Sequence, residues 1–170
     1  HSLEEYDIAW LAEESVSLTD VNSHDRFQKA AFWCVDPLDG TQAYLSGGDG
    51  YAVAIALVSQ AGIPLLSVIY HPPTETCYSA IAGVSKTIRA EAKSSSIHFY
   101  TDQSFLRHVE YDRVVAGLRQ IAKQQGLDDV LVISNQGAVM NACCVLEHST
   151  AVYLKLPKPE TGGGSLWDFA

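Results

Sequence analysis

Phe32-Trp33-Cys34-Val35-Asp36-Pro37-Leu38-Asp39-Gly40-Thr41 is the stretch whose reading decides the fold and the site together. Four apolar residues predict a short buried strand, and the two carboxylates that follow, three residues apart with a proline between them, predict that the strand ends at a site. Pro37 fixes its own φ and biases Asp36 toward extended backbone, so a sharp turn is expected to bring both acids to one point. Two such charges repel unless something positive lies between them. Hard divalent cations supply that charge and take carboxylate and carbonyl oxygens, including a main-chain carbonyl such as that of Leu38. Gly40 and Thr41 would open a helical turn whose N–H groups can receive an anion. The same residues also suit an ordinary Asx-turn with Asp39-Gly40 as punctuation, and the stretch alone does not choose.

Composition narrows the classes. With 170 residues, 47% hydrophobic and 18% charged, the chain reads as one globular domain, or most of one, able to bury a core. A net charge of −9, eleven Lys and Arg against twenty Asp and Glu, argues against nucleic acid and anionic membrane surfaces as partners. Phosphates remain accessible to an acidic protein when bound metals reverse the local sign. Cys34, Cys77, Cys143 and Cys144 show no C-x-x-C spacing and sit in apolar runs, which reads as reduced core cysteines in a reducing compartment such as the cytoplasm. No run of some 18 apolar residues is present to span a bilayer, and no signal peptide is evident.

Outward from the central stretch, Ile8 to Ala12 predicts a short strand with Glu13 and Glu14 just past its end, and 20–30 reads as a loop. Tyr51 to Val58, Pro64 to Tyr70 and Thr76 to Ala82, joined by short turns, predict an antiparallel meander. His71, before Pro72-Pro73, reads as a turn or surface residue, and Gly47 to Gly50 as a flexible turn. Ile97 to Tyr100 predicts a further strand. Val114, Leu118 and Ile121, with Val115 and Ala122 on the same face, predict an amphipathic helix between Ser104 and Gln125, ended by Gly126. A brief strand at Val130 to Ile133, a buried helix from Gly137 to Leu146, a strand from Ala151 to Leu156 and a mobile loop through Gly162 to Gly164 complete the chain up to Trp167-Asp168.

Acids therefore stand at the exits of three separate elements: Glu13 and Glu14, Asp36 and Asp39, and Asp168. Together they suit a cluster of two or more Mg²⁺ ions bridged by carboxylates, with positions left open for substrate oxygens and water. Phosphoryl transfer needs that arrangement, because its barrier falls mainly through charge neutralisation and in-line placement of the nucleophile.

Trp33-Cys34-Val35-Asp36-Pro37-Leu38-Asp39-Gly40-Thr41 resembles the defining motif of the inositol monophosphatase family, Mg²⁺-dependent, lithium-sensitive phosphatases that include the 3′(2′),5′-bisphosphate nucleotidases. Leu11-Ala12-Glu13-Glu14-Ser15 resembles the family's upstream glutamate motif, and Trp167-Asp168-Phe169-Ala170 its C-terminal Trp-Asp motif. The resemblance implies an α+β fold, a layered helix and sheet sandwich, in a single domain over 1–170. Family members extend further at both ends, so it also implies a fragment without the N-terminal helices and the C-terminal part. Carried over residue by residue, it makes Glu13, Asp36, Asp39, Asp168 and the Leu38 carbonyl ligands of two or three Mg²⁺ ions. Gly40 and Thr41 hold the phosphate, and Glu13, Asp39 and Thr41 share in placing and activating the attacking water. The implied function is a phosphomonoesterase acting on a small phosphorylated metabolite of the inositol monophosphate kind. A 3′(2′),5′-bisphosphate nucleotidase is the alternative, and a catalytically impaired scaffold the third reading. The family habit is a homodimer. The chain departs from the family at Asn135-Gln136-Gly137, where Gly-Ser or Gly-Thr is usual, and at Lys155, where inositol monophosphatases carry an acid. A lysine there suits a second phosphate.

Overall fold

The computed structural model describes residues 8–13, 24–84 and 94–156. These fall into two compact units, one holding the described residues up to Asp39 together with 52–84, the other 40–51 and 94–156. Glu14, Gly162 to Gly164 and the Trp167-Asp168 motif lie outside the described residues. The architecture is α+β, as the family resemblance implies.

The first unit is a five-stranded sheet in the order β1 (Ala9–Ala12), β2 (Ala31–Asp39), β3 (Ala52–Ser59), β4 (Pro64–His71) and β5 (Thr76–Ile81). β1 runs parallel to β2, and every later neighbour is antiparallel, so the predicted meander gains β2 as a fourth strand. Strict alternation in β3, Ala-Val-Ala-Ile-Ala-Leu-Val-Ser, gives the sheet two unlike faces. Ala52, Ala54, Ala56 and Val58 lie on the buried one, where Ala56 and Val58 pack with Ala9 and Leu11 of β1 and Phe32 and Cys34 of β2. Val53, Ile55 and Leu57 occupy the half-buried opposite face. Tight connections join the meander: Gly62 takes φ +80° between β3 and β4, and Pro72–Thr74 forms one 3-10 turn between β4 and β5.

The second unit contains α1 (Thr41–Leu45), β6 (Ile97–Thr101), α2 (Tyr111–Gln124), β7 (Val130–Ile133), α3 (Ala138–Glu147) and β8 (Ala151–Leu154). Its three strands are all parallel in the order β7-β6-β8, as expected when helices return the chain between them. The chain leaves β6 toward one neighbour and reaches the other only after α3, so the C-terminal ends of β6 and β8 form a topological switch point. Thr101, fully buried there, donates its hydroxyl to the Leu154 carbonyl at 2.9 Å. The core gathers Ile97, Phe99, Phe105, Val115, Ala122 and Val130.

α2 is shorter than its periodicity predicts. A 3-10 turn at Phe105–Arg107 buries Phe105, extended backbone at His108 interrupts the chain, and the helix starts at Tyr111. Apolar recurrence begins only at Val114, so nothing in the preceding residues compels a helix. Val115 and Ala122 form its buried stripe with Leu118, whereas Ile121 is exposed. The helix ends as expected: Gly126 takes φ +71°, and the Leu127 N–H bonds back to the Ala122 carbonyl at 2.9 Å. Among the described residues no helix is long and apolar enough to cross a membrane. None of the four cysteines is in a disulfide; Cys34, Cys143 and Cys144 are buried as expected, but Cys77 is exposed on β5 at the sheet edge.

Candidate functional site

The acids of the central stretch lie within β2, which continues to Asp39 instead of ending at Val35. In a regular strand, residues three apart point to opposite faces. Here Asp36 pairs with Ala54 and Asp39 with Ala52, so two residues of β2, Pro37 and Leu38, oppose the single Val53 of β3. That extra residue is a β-bulge, and it restores the alternation: both aspartates fall on the face carrying Ala52 and Ala54. Proline suits this position because the bulged residues leave the ladder, where a missing N–H costs nothing. The Leu38 N–H turns inward and donates to Asp36 Oδ1 at 2.9 Å. Convergence of the two carboxylates thus comes from a bulge in a continuing strand, where the sequence predicts a sharp turn.

Asp36 and Asp39 are 2% and 6% exposed, so this pair is taken out of water on the same face as the apolar core. The parallel register of β1 sets Leu11 beside Cys34 and Ala12 beside Val35. One step further, Glu13 leaves β1 as Asp36 continues β2. Rows of side chains across this face therefore change in kind along the strands. Ala9, Phe32 and Val58 are followed by Leu11, Cys34 and Ala56, and then by Asp36 beside Ala54 and Asp39 beside Ala52. In both acidic rows the β3 partner is an alanine, and it is buried with the acid it pairs with.

A histidine belongs to the same face. β4 pairs Val53 with Tyr70 and Ala54 with Ile69, which places His71 on the Ile69 side at the level of Ala52. Its place before Pro72-Pro73 predicts a turn or surface residue, yet it is buried, and its Nδ1 lies 2.7 Å from Thr74 Oγ1. The available signal was its parity with Ser67 and Ile69 in a strand that runs one residue beyond Tyr70.

Gly40 and Thr41 belong to the second unit, where Gly40 caps α1 with φ +81°. A Cβ on Gly40 would lie 2.5 Å from the Gly50 carbonyl oxygen and 3.2 Å from Gly137 Cα. A Cβ on Gly50 would lie 2.5 Å from the Asn135 carbonyl oxygen. The Gly137 N–H donates to the Gly50 carbonyl at 2.7 Å, so the start of α1, the glycine turn before β3 and the start of α3 meet backbone to backbone. Gly50, read from sequence as part of a flexible turn, is a contact point. Asn141, one turn into α3, is fully buried as its place in an apolar helix implies. Lys155 follows β8 directly and is half-buried at the switch point.

A hard cation is matched in kind by this donor set: the candidate ligands are carboxylates and a backbone carbonyl, with no thiolate or imidazole among them. In number it is incomplete, since among the described residues no three His, Cys, Asp or Glu side chains are gathered closely enough to hold a metal ion. Asp168, the fourth carboxylate of the sequence reading, lies outside the described residues.

A mixed sheet with acids at a bulged strand, together with a parallel three-stranded sheet flanked by helices, defines an α+β protein of the layered kind. The model of the inositol monophosphatase family matches residues 4–170, and the chain belongs to that family. It is 30% identical over 165 residues to the 3′(2′),5′-bisphosphate nucleotidase CysQ of Shigella flexneri, and 28% over 172 residues to that of Salmonella typhimurium; each match covers 96% of this chain and 61% of the relative. The chain thus spans about three fifths of the length of these relatives. Among solved structures, CysQ from Bacteroides thetaiotaomicron, described as a bacterial member of the inositol monophosphatase family, superposes with a TM-score of 0.64 at 25% identity, covering 89% of this chain and 60% of that one.

Proposed function

We propose that this chain carries the acid-bearing part of a Mg²⁺-dependent phosphomonoesterase whose substrate is a nucleoside 3′,5′-bisphosphate. The observation that carries the reading is the bulge at Pro37-Leu38, which sets Asp36 and Asp39 side by side on a buried face within a family of phosphatases. Of the two substrates expected from sequence, the relatives' names favour the bisphosphate nucleotidase over an inositol monophosphate. Lys155 supports the same choice, since a cation fits a second phosphate better than a neutral polyol.

In this reading Asp36, Asp39, Glu13 and the Leu38 carbonyl hold two or three magnesium ions, with Asp168 completing the set. Ions held by these residues would supply charge neutralisation at the phosphoryl oxygens and a more acidic water. The chain's own part is to hold the carboxylates at one end of a sheet, with the small Ala54 and Ala52 across from Asp36 and Asp39, and to present the Gly40 and Thr41 amides to the phosphate. Thr41 and Glu13 orient the attacking water, and Lys155 receives the phosphate that is not cleaved. Two copies per assembly and a reducing compartment belong to the same proposal.

The test is phosphate release from adenosine 3′,5′-bisphosphate, inositol 1-phosphate and a sugar bisphosphate, with Mg²⁺, with added Li⁺ and after chelation. It uses this chain and a version extended to the full length of the relatives. Release from the adenosine bisphosphate at least tenfold faster than from the others, abolished by chelation, is expected. Turnover that survives chelation removes the metal mechanism, and Mg²⁺ binding without turnover in both chains establishes the impaired scaffold instead.

A further inference from the structure

Two histidines outside the acid face are packed ring against ring. His98 projects from β6 on the side away from the Ile97 and Phe99 core, and His148 caps the C-terminal end of α3. Their ring centroids are 4.1 Å apart at 56°. Tyr100, two residues along β6, stacks on His148 at 6.4 Å and 23°. His98 Nε2 lies 3.0 Å from Ser94 Oγ, whereas the Nδ1 atoms of both histidines are buried without a hydrogen-bond partner among the described residues. The groups around the pair are neutral for the most part. Tyr100 and Cys144 are hydrogen-bonded to each other, Leu131 and Ala151 flank His98 across the sheet, and Tyr153 faces Tyr100 on β8. Glu147 is the nearby acid, and it is exposed on α3.

Two imidazolium rings at this separation would repel each other, and each would bury an N–H without an acceptor. We propose that His98 and His148 form a pH-sensitive latch that holds the C-terminal end of α3 against β6 while both rings are neutral and releases it when both are protonated. Burial of His98 and the neighbouring His148 hold the His98 imidazole below its ordinary range, in keeping with this packing. The consequence reaches the glycine junction, because α3 begins at that junction and ends at the latch.

The sign follows from proton binding. A histidine whose folded value is depressed favours the folded state above its unfolded value near 6.5, and that contribution is lost as pH falls through the folded value. In that window the unfolding equilibrium constant rises up to about tenfold per pH unit for each proton the folded state excludes.

The test has two arms on the intact chain. Imidazole NMR titration should show His98 taking up its proton below pH 6.5, with amide exchange of 145–148 accelerating over the same range. Urea unfolding from pH 7.5 to 5 should show His98→Phe and His148→Phe losing that tenfold-per-unit slope relative to the wild-type chain. Independent titration of the two rings at ordinary values, or variants that keep the wild-type slope, overturns the latch. If the variants do not fold, the titration and exchange of the wild-type chain decide alone.

Discussion

Replacing Gly40 by alanine tests whether the backbone junction that carries Gly40 and Thr41 is real. The residue has φ +81°, and its new Cβ would lie 2.5 Å from the Gly50 carbonyl oxygen, 3.1 Å from Tyr51 Cα and 3.2 Å from Gly137 Cα. All three neighbours are main chain, so no rotamer change relieves them. Two costs add: left-handed backbone costs an alanine about 1–2 kcal/mol, and forcing atoms into a close-packed contact costs about 1–3 kcal/mol more. Gly47 separates the two, because it has φ +72° and nothing within 4 Å of its Cβ. Gly47→Ala should therefore lose only the conformational part, about 1–2 kcal/mol, and Gly40→Ala about 2–5 kcal/mol. Gly50→Ala isolates the other part: its backbone is not left-handed, but its Cβ would meet Asn135 O at 2.5 Å and Gln136 Cα at 2.6 Å. Urea unfolding followed by far-UV circular dichroism reads the difference as a midpoint gap of about 1 M between Gly40→Ala and Gly47→Ala. Coincident midpoints would refute the close approach, and with it the argument that glycine is required here by contact as well as by conformation.

Two further outcomes are expected. Asp36→Asn keeps an oxygen able to accept the Leu38 N–H but removes ligand charge, so magnesium-dependent phosphate release should fall more than about a hundredfold with the circular dichroism spectrum unchanged; wild-type turnover would remove Asp36 from the ligand set. Phe99 is fully buried and meets Phe105 edge to face at 6.0 Å, so Phe99→Ala should cost about 3–5 kcal/mol in urea unfolding, and a loss below about 1 kcal/mol would contradict the core assignment.

Much of this was legible in the sequence because the signals are local. β3, β4 and β5 were bounded by Gly and Pro turns, and α2 ended at a glycine that takes the backbone such a terminus needs. The start of α2 was not legible: Ser104 to Glu110 contain no pattern that separates a 3-10 turn from a helical one, and the burial of Phe105 against Phe99 selects the former. His71 and Gly50 were misread for a shared reason. Each stands in a run of turn-forming residues, and only contacts between residues distant in sequence show otherwise: the β3–β4 pairing puts His71 on the buried side, and the bond from the Gly137 N–H sets Gly50 against the start of α3.

The acids illustrate how that division works at the site itself. Their spacing of three, taken with strand periodicity, places them on opposite faces; the proposed metal site needs them on one face. A single inserted residue in β2 resolves the conflict, and proline marks the place at which insertion is cheapest, because the bulged position gives up a hydrogen bond proline could not have made. The β3 residues that pair across from the two acids are both alanines, Ala54 and Ala52, buried on the same face. The bulge and the proline are thus one device, and what it achieves is to set Asp36 and Asp39 on the same face of the sheet.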